Sequence, residues 1–244
     1  MGKTAKIVFI AIFVLIFTAG NGPCLAAQAG WNISFIGAFQ RPEGMHVAEF
    51  KDVKKMLDHQ VAPKMKGVKT EKLPEGQKDL DKVTGVMKEM DMAAYQLTID
   101  DGDGYHQAYM LAMRLHQNLG EAEGFFQQEI PDQQKQQVAD MIGQVNGNLE
   151  KLAFYDPKSQ FGARLLGLMP VQYLSVEGRQ AYSVGARVMF QAEEFWFPLS
   201  ARAYVFAVGN QMACVVMMTT DSERSFWDRI FQEMIPTLQS VPSV

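Results

Sequence analysis

Ala201-Arg202-Ala203-Tyr204-Val205-Phe206-Ala207-Val208-Gly209-Asn210-Gln211-Met212-Ala213-Cys214-Val215-Val216-Met217-Met218-Thr219 decides the fold class. Two runs rich in Val, Tyr, Phe and Met flank a Gly-Asn pair. Such a pair between strand-like runs marks a tight β-hairpin, because glycine reaches positive φ without steric cost. The strands it joins must therefore be antiparallel neighbours.

Working back towards the N-terminus, the pattern repeats. Residues 194–199, 180–191 and 171–176 read as strands, and Glu177-Gly178 supplies a turn. Pro198 places its strand at a sheet edge or at its end, since proline has no N–H for a ladder. No helix-length segment separates these strands, which excludes βαβ units and predicts an antiparallel sheet. Working forward, a closing helix is expected. Thr220 and Glu223 have capping-box spacing, and Phe226, Trp227, Ile230, Phe231, Met234 and Leu238 make one apolar stripe. Pro236 should kink or end that helix.

The first half is more mixed. Residues 31–39 read as one strand, Arg41-Pro42-Glu43-Gly44 as a turn, and residues 45–50 as a further short strand. Between 51 and 92 lie ten lysines and eight acids, interrupted by prolines and glycines. Helices are expected over 52–61 and 79–92, with an exposed loop over 62–77, and the whole Lys-rich segment is expected to be partly mobile. Residues 93–99 and 105–115 read as a hairpin around Asp100-Asp101-Gly102-Asp103-Gly104, with a helix from Tyr105 as the competing reading. Short helicity follows over 121–129. A longer helix is expected over 132–152, its stripe made by Val138, Met141, Ile142, Val145, Leu149 and Leu152, with Gln133, Gln134, Gln136 and Gln137 turned to solvent.

The predicted class is α+β, an antiparallel β-sheet packed by amphipathic helices as an α/β/α sandwich. The Tyr204-Val205-Phe206 strand, the hairpin after it and the helix from Ser222 resemble the PsbP-like family, over roughly residues 171–238. That resemblance implies the sandwich found in a photosystem accessory protein and in many bacterial secreted proteins. It also implies a non-enzymatic binding or accessory role. It carries over no functional residue, and the Lys-rich segment and the Gln-rich helix fall outside it.

The N-terminus bears on location. Lys3 and Lys6 precede the apolar run from Ile7 to Ala19, and Ala27-Gln28-Ala29 offers a small-x-small cleavage site. These are the three parts of a secretory signal peptide, and the run is shorter than the about 20 residues that span a bilayer. Residues 1–29 are thus expected to direct export to the periplasm, cell envelope or medium, leaving one domain over 30–244. Lipidation at Cys24 and retention as a membrane anchor are the alternatives. Asn21-Gly22-Pro23 before Cys24 lacks the leucine of a lipoprotein signal and carries a proline where a small residue is wanted. Cleavage would leave Cys214 as a single cysteine, so no internal disulfide would staple the fold.

The formal charge of −4 becomes −6 once Lys3 and Lys6 depart. An acidic chain of this kind lacks the Lys/Arg excess that nucleic-acid binding requires, and it has no electrostatic attraction to anionic lipid. A membrane partner is expected only if the N-terminal segment is retained.

Candidate chemistry is sparse. Asp100, Asp101 and Asp103 put three carboxylates within four residues, which suits a hard cation such as Ca²⁺; EF-hand spacing fails, because Tyr105, His106 and Ala112 stand at its fifth, sixth and twelfth positions. No other cofactor is expected. Ala181-Tyr182-Ser183-Val184-Gly185 approximates a nucleophile elbow but sits inside a strand pattern, so a hydrolase is the lesser reading. His46, His59, His106 and His116 show no zinc spacing. The sixteen methionines suit core filling or an adaptable apolar surface, and Phe195-Trp196-Phe197 is the candidate binding edge for a protein, peptide or apolar ligand. The function expected is that of an exported binding or accessory domain, with a membrane-tethered envelope protein as the second reading.

Overall fold

The computed structural model of the chain describes residues 30–50, 90–120, 123–127, 129–149, 153–156, 161–192 and 195–241. The expected signal segment with Cys24, the helix over 52–61, the Lys-rich loop over 62–77 and Leu152 lie outside the described residues.

In chain order the elements are β1 (Gly30–Ile33), β2 (Gly37–Gln40), β3 (Met45–Phe50), β4 (Met90–Asp100), β5 (Tyr105–Asn118), α1 (Glu123–Gln127), α2 (Asp132–Asn146), β6 (Ala153–Asp156), β7 (Phe161–Val176), β8 (Arg179–Ala192), β9 (Phe195–Val208), β10 (Gln211–Thr220), α3 (Arg224–Met234) and β11 (Gln239–Ser240). A 3₁₀ turn over Asp221–Glu223 leads into α3, and another over Ile235–Thr237 follows it. The fold is α+β, built mainly from antiparallel sheet. One sheet of eight strands has the order β3-β4-β5-β10-β9-β8-β7-β6, and a small sheet has the order β1-β2-β11.

The hairpin that decides the class forms as predicted. Gln211 pairs with Val208 across Gly209-Asn210, and the β9–β10 ladder runs on to Leu199–Thr220. Gly209 has φ 57°. At the β7–β8 turn both Glu177 (φ 51°) and Gly178 (φ 75°) are left-handed. Glu177 repays that strain by accepting from the Ser240 backbone N–H at 2.8 Å and the Ser240 hydroxyl at 2.7 Å, which fastens β11 to the large sheet. The hairpin around Asp100–Gly104 also forms, with Asp100 opposite Tyr105.

Alternation gives the large sheet two apolar faces. One carries Tyr95 and Leu97, Met110, Tyr204 and Phe206, Val215 and Met217, packed with Trp31, Ile33 and Phe39 of the small sheet and Trp227, Phe231 and Met234 of α3. Tyr204 stacks on Phe231 at 5.6 Å, and Trp31 meets Tyr95 edge-on at 5.0 Å. The other face carries Leu111, Val216, Met218, Val188, Phe190 and Leu199. Helix α1 approaches this second face, where Phe126 clusters with Leu119 and Ala207 and the Tyr182 hydroxyl donates to the Phe125 carbonyl.

Several sequence expectations need correction. Residues 31–39 are two short strands, not one, because the chain turns over 34–36 into Gly37, where φ is 142° and a side chain would run into the Gln239 carbonyl. The helix predicted over 79–92 is wrong at its end: Met90 and Met92 begin β4. Helix α2 stops at Asn146, and its stripe is only half-buried, with Met141 exposed. The 194–199 and 201–208 runs are one strand through Pro198. That proline lies beyond the end of the β9–β10 ladder, so its missing N–H breaks no bond there. β7 begins ten residues earlier than position 171, since bulges between Leu165 and Gly167 and between Met169 and Gln172 interrupt the period of two and accommodate Pro170. The short strand β6 is not visible in the sequence at all.

Candidate functional site

The strongest surface feature lies at the start of β9. Phe195 is 66% exposed, Trp196 55% and Phe197 40%, and Pro198 is exposed as well, whereas Leu199 to Arg202 of the same strand are buried. Only the β8 ladder, through Ala192–Phe195, Gln191–Trp196 and Phe190–Phe197, accompanies this end of the strand; the β10 ladder has already ended at Leu199. Alternation puts Phe195 and Phe197 on one face, their rings 6.3 Å apart, and Trp196 on the opposite face. The end of the hairpin is therefore apolar on both sides. Exposed aromatics in series on an ordered strand are costly in water, which makes this strand start the candidate interaction surface.

The acidic turn behaves differently. Asp100 accepts from the Gly102 N–H at 3.1 Å, and one oxygen of Asp101 accepts from the N–H groups of Asp103 at 3.1 Å and Gly104 at 3.0 Å. The other oxygen of Asp101 lies 3.3 Å from His106 Nε2. Desolvation pushes the Asp101 carboxyl up, but these N–H donors and His106 together outweigh it, so the carboxyl is held below the usual range. The carboxylates thus shape the turn. Among the described residues no group of three or more His, Cys, Asp and Glu side chains is gathered to hold a metal ion.

Ser183 sits mid-strand in β8 and is fully buried. Its hydroxyl accepts from Arg202 at 2.9 Å and donates to Gln172 at 3.3 Å. A serine so placed has neither the sharp turn nor the access that an elbow nucleophile needs. Cys214 is half-buried, and burial pushes its thiol up to about 12, which leaves it unreactive as a thiolate.

Sequence reading missed the network that seats α3. Arg202 is 3% exposed and meets Asp228 with two contacts of 2.9 and 3.2 Å. Arg187 grips Asp221 in bidentate fashion at 2.8 and 2.6 Å, and Arg224 lies 3.3 Å from the same carboxylate. The Arg187 contact holds the Asp221 carboxyl below its ordinary range. His106 Nδ1 lies 2.6 Å from Glu223, and its ring stacks on Phe226 at 3.7 Å. The Glu223 contact first, then Asp101, raises the His106 pKa above its ordinary value. In the Arg202, Arg187 and His106 pairs the basic side chain comes from the sheet and the carboxylate from the helical segment, whereas Arg224 pairs with Asp221 within that segment. Glu223 therefore serves β5 instead of the predicted capping box, and Thr220 makes no capping bond. One signal was available: Arg202 shares the strand register of Tyr204, Phe206 and Val208, where a charge demands a partner.

Neither a protein-family model nor a curated protein matches the chain.

Proposed function

We propose that this protein is a non-catalytic binding or accessory domain that acts outside the cytoplasm, a sandwich of the PsbP-like kind, with the aromatic start of β9 as its contact surface. The observation that carries this reading is the exposure of Phe195, Trp196 and Phe197 on a well-formed strand. The run from Ile7 to Ala19 followed by Ala27-Gln28-Ala29 supports export. The carboxylates of Asp221, Glu223 and Asp228 are taken up in pairs with Arg187, His106 and Arg202, which suits a structural role for that network.

Tryptophan fluorescence tests the binding half. Trp31 and Trp227 are buried while Trp196 is exposed, so ligand-induced change reports on the β9 start. A long-chain fatty acid or an apolar decapeptide should shift the emission saturably, and Trp196→Ala should abolish the shift. An unchanged spectrum at millimolar ligand contradicts the reading. Intact mass and N-terminal sequencing of the protein from its own host test the export half. A mature chain starting at Gly30 is expected; retention of residues 1–29 converts the reading to a membrane-tethered accessory protein.

A further inference from the structure

We infer that the start of β9 is a bilayer-insertion tip, which inserts Phe195, Trp196 and Phe197 into the interfacial region of a zwitterionic membrane. The inference rests on the binding role proposed above and names its partner. Three observations lead to it. The first is the two-faced geometry. A docked protein or a groove-bound peptide covers one face of a strand, yet here Phe195 and Phe197 lie on one face and Trp196 on the other, all exposed. A medium that surrounds the strand end satisfies both faces at once.

The second is area. A buried aromatic side chain contributes about 150–250 Å², so the exposed fractions of these three leave on the order of 300–400 Å². A stable protein–protein interface needs roughly 800 Å² from each partner. The three aromatics alone supply at most about half of that, while interfacial insertion requires no minimum footprint and favours Trp and Phe near the headgroups. The third is charge. The two residues that link β8 to β9 are Glu193 and Glu194, and the chain is acidic overall. That complement opposes an anionic surface and fits zwitterionic headgroups. No helix among the described residues is long and apolar enough to cross a membrane; the contact inferred is peripheral and, unlike the tethered form expected from the sequence, does not require residues 1–29.

The test uses the mature chain with phosphatidylcholine vesicles, read by flotation and by Trp emission. Wild-type protein should float with the vesicles, its emission should move to the blue, and brominated phosphatidylcholine should quench it. Trp196→Ala should lower the partition coefficient about tenfold, and Phe195→Ser with Phe197→Ser should lower it further, with a cooperative thermal transition retained in each variant. Replacing a third of the lipid by phosphatidylserine should weaken binding. Several outcomes overturn the inference: no flotation at millimolar lipid, equal flotation of wild type and the triple variant, or a concentration-dependent dimer in sedimentation that Trp196→Ala abolishes. If vesicles fail while the fatty acid or decapeptide still shifts Trp196 emission, insertion falls and the binding role stands. If all three ligands fail, both fall.

Discussion

Helices α2 and α3 both show apolar residues at helical spacing, yet they end in opposite environments. The eleven residues of α3 bury Trp227, Ile230, Phe231 and Met234, whereas the fifteen of α2 bury none. Two differences explain it. α3 brings aromatic rings that fill the space over Tyr204 and beside Phe226. It is also seated by ion pairs from three sheet strands. α2 has Val, Ile and Met on its stripe and is held near the sheet by the Asn146 side chain, which exchanges hydrogen bonds of 2.7 and 3.0 Å with the Leu168 backbone, and by Lys135 over the Tyr173 ring. Its work is to cover an edge of β7 beyond the reach of β6. Apolar residues at helical spacing thus do not by themselves secure burial, and the stripe of α3 is also the more sharply segregated of the two.

The largest break in this contrast comes from Trp227. Trp227→Ala should cost about 3–5 kcal/mol by leaving a cavity under α3, while Ile142→Ala on the half-buried stripe of α2 should cost about 1 kcal/mol. Urea denaturation of both variants measures the pair. Equal losses would show that α2 is as much a core element as α3. The Trp227 indole N–H is buried and finds no hydrogen-bond partner among the described residues, so Trp227→Phe should be much milder.

Next in size is Arg202. Arg202→Met removes one partner of a buried pair and strands Asp228, at an expected cost of about 3–5 kcal/mol. Adding Asp228→Leu should restore most of it. A double-mutant cycle with no recovery would mean that Arg202 stabilises through Ser183 and Met169 instead, both of which it also contacts.

Glycine sharpens the comparison at smaller scale. At Gly143 in α2 an added Cβ meets nothing within 4 Å, so Gly143→Ala should stabilise by about 0.5–1 kcal/mol. Gly185 lies under the α3 network, where a Cβ would run into the Met169 methyl and come 3.2 Å from the Arg202 guanidinium carbon. Gly185→Ala should therefore destabilise, by about 1–3 kcal/mol. A rise in melting temperature for Gly185→Ala would show that the network yields.

The smallest expected effect is on pH. The folded-state pKa of His106 is raised above its ordinary 6.5, so its contribution is complete below about that pH and is lost as pH rises through the raised value. Asp221 is shifted the other way, and its contribution is lost only as pH falls below the usual carboxylate range of about 3.8. The urea midpoint of wild type should therefore exceed that of His106→Gln near pH 6 and converge with it towards pH 9. A constant gap would assign the difference to the Phe226 stack alone.

Legibility in the sequence followed the range of the interaction. The β9–β10 hairpin, the acidic turn and the end of α3 before Pro236 are local decisions of backbone sterics, and they stand where residue types place them. The aromatic start of β9 was legible as residues, but whether it lay exposed depended on where β10 stops. β7 was half-hidden because bulges break the period by which strands are recognised.

By itself, then, the sequence determined the class and the central pairing, because turn chemistry and alternation act over a few residues. Only tertiary structure decided that Arg202 would meet Asp228, that Glu223 would leave the helix cap for His106, and that Trp196 would stand in water while Trp227 stands in the core. Those outcomes depend on which distant side chain occupies the facing position, a fact the local pattern does not contain.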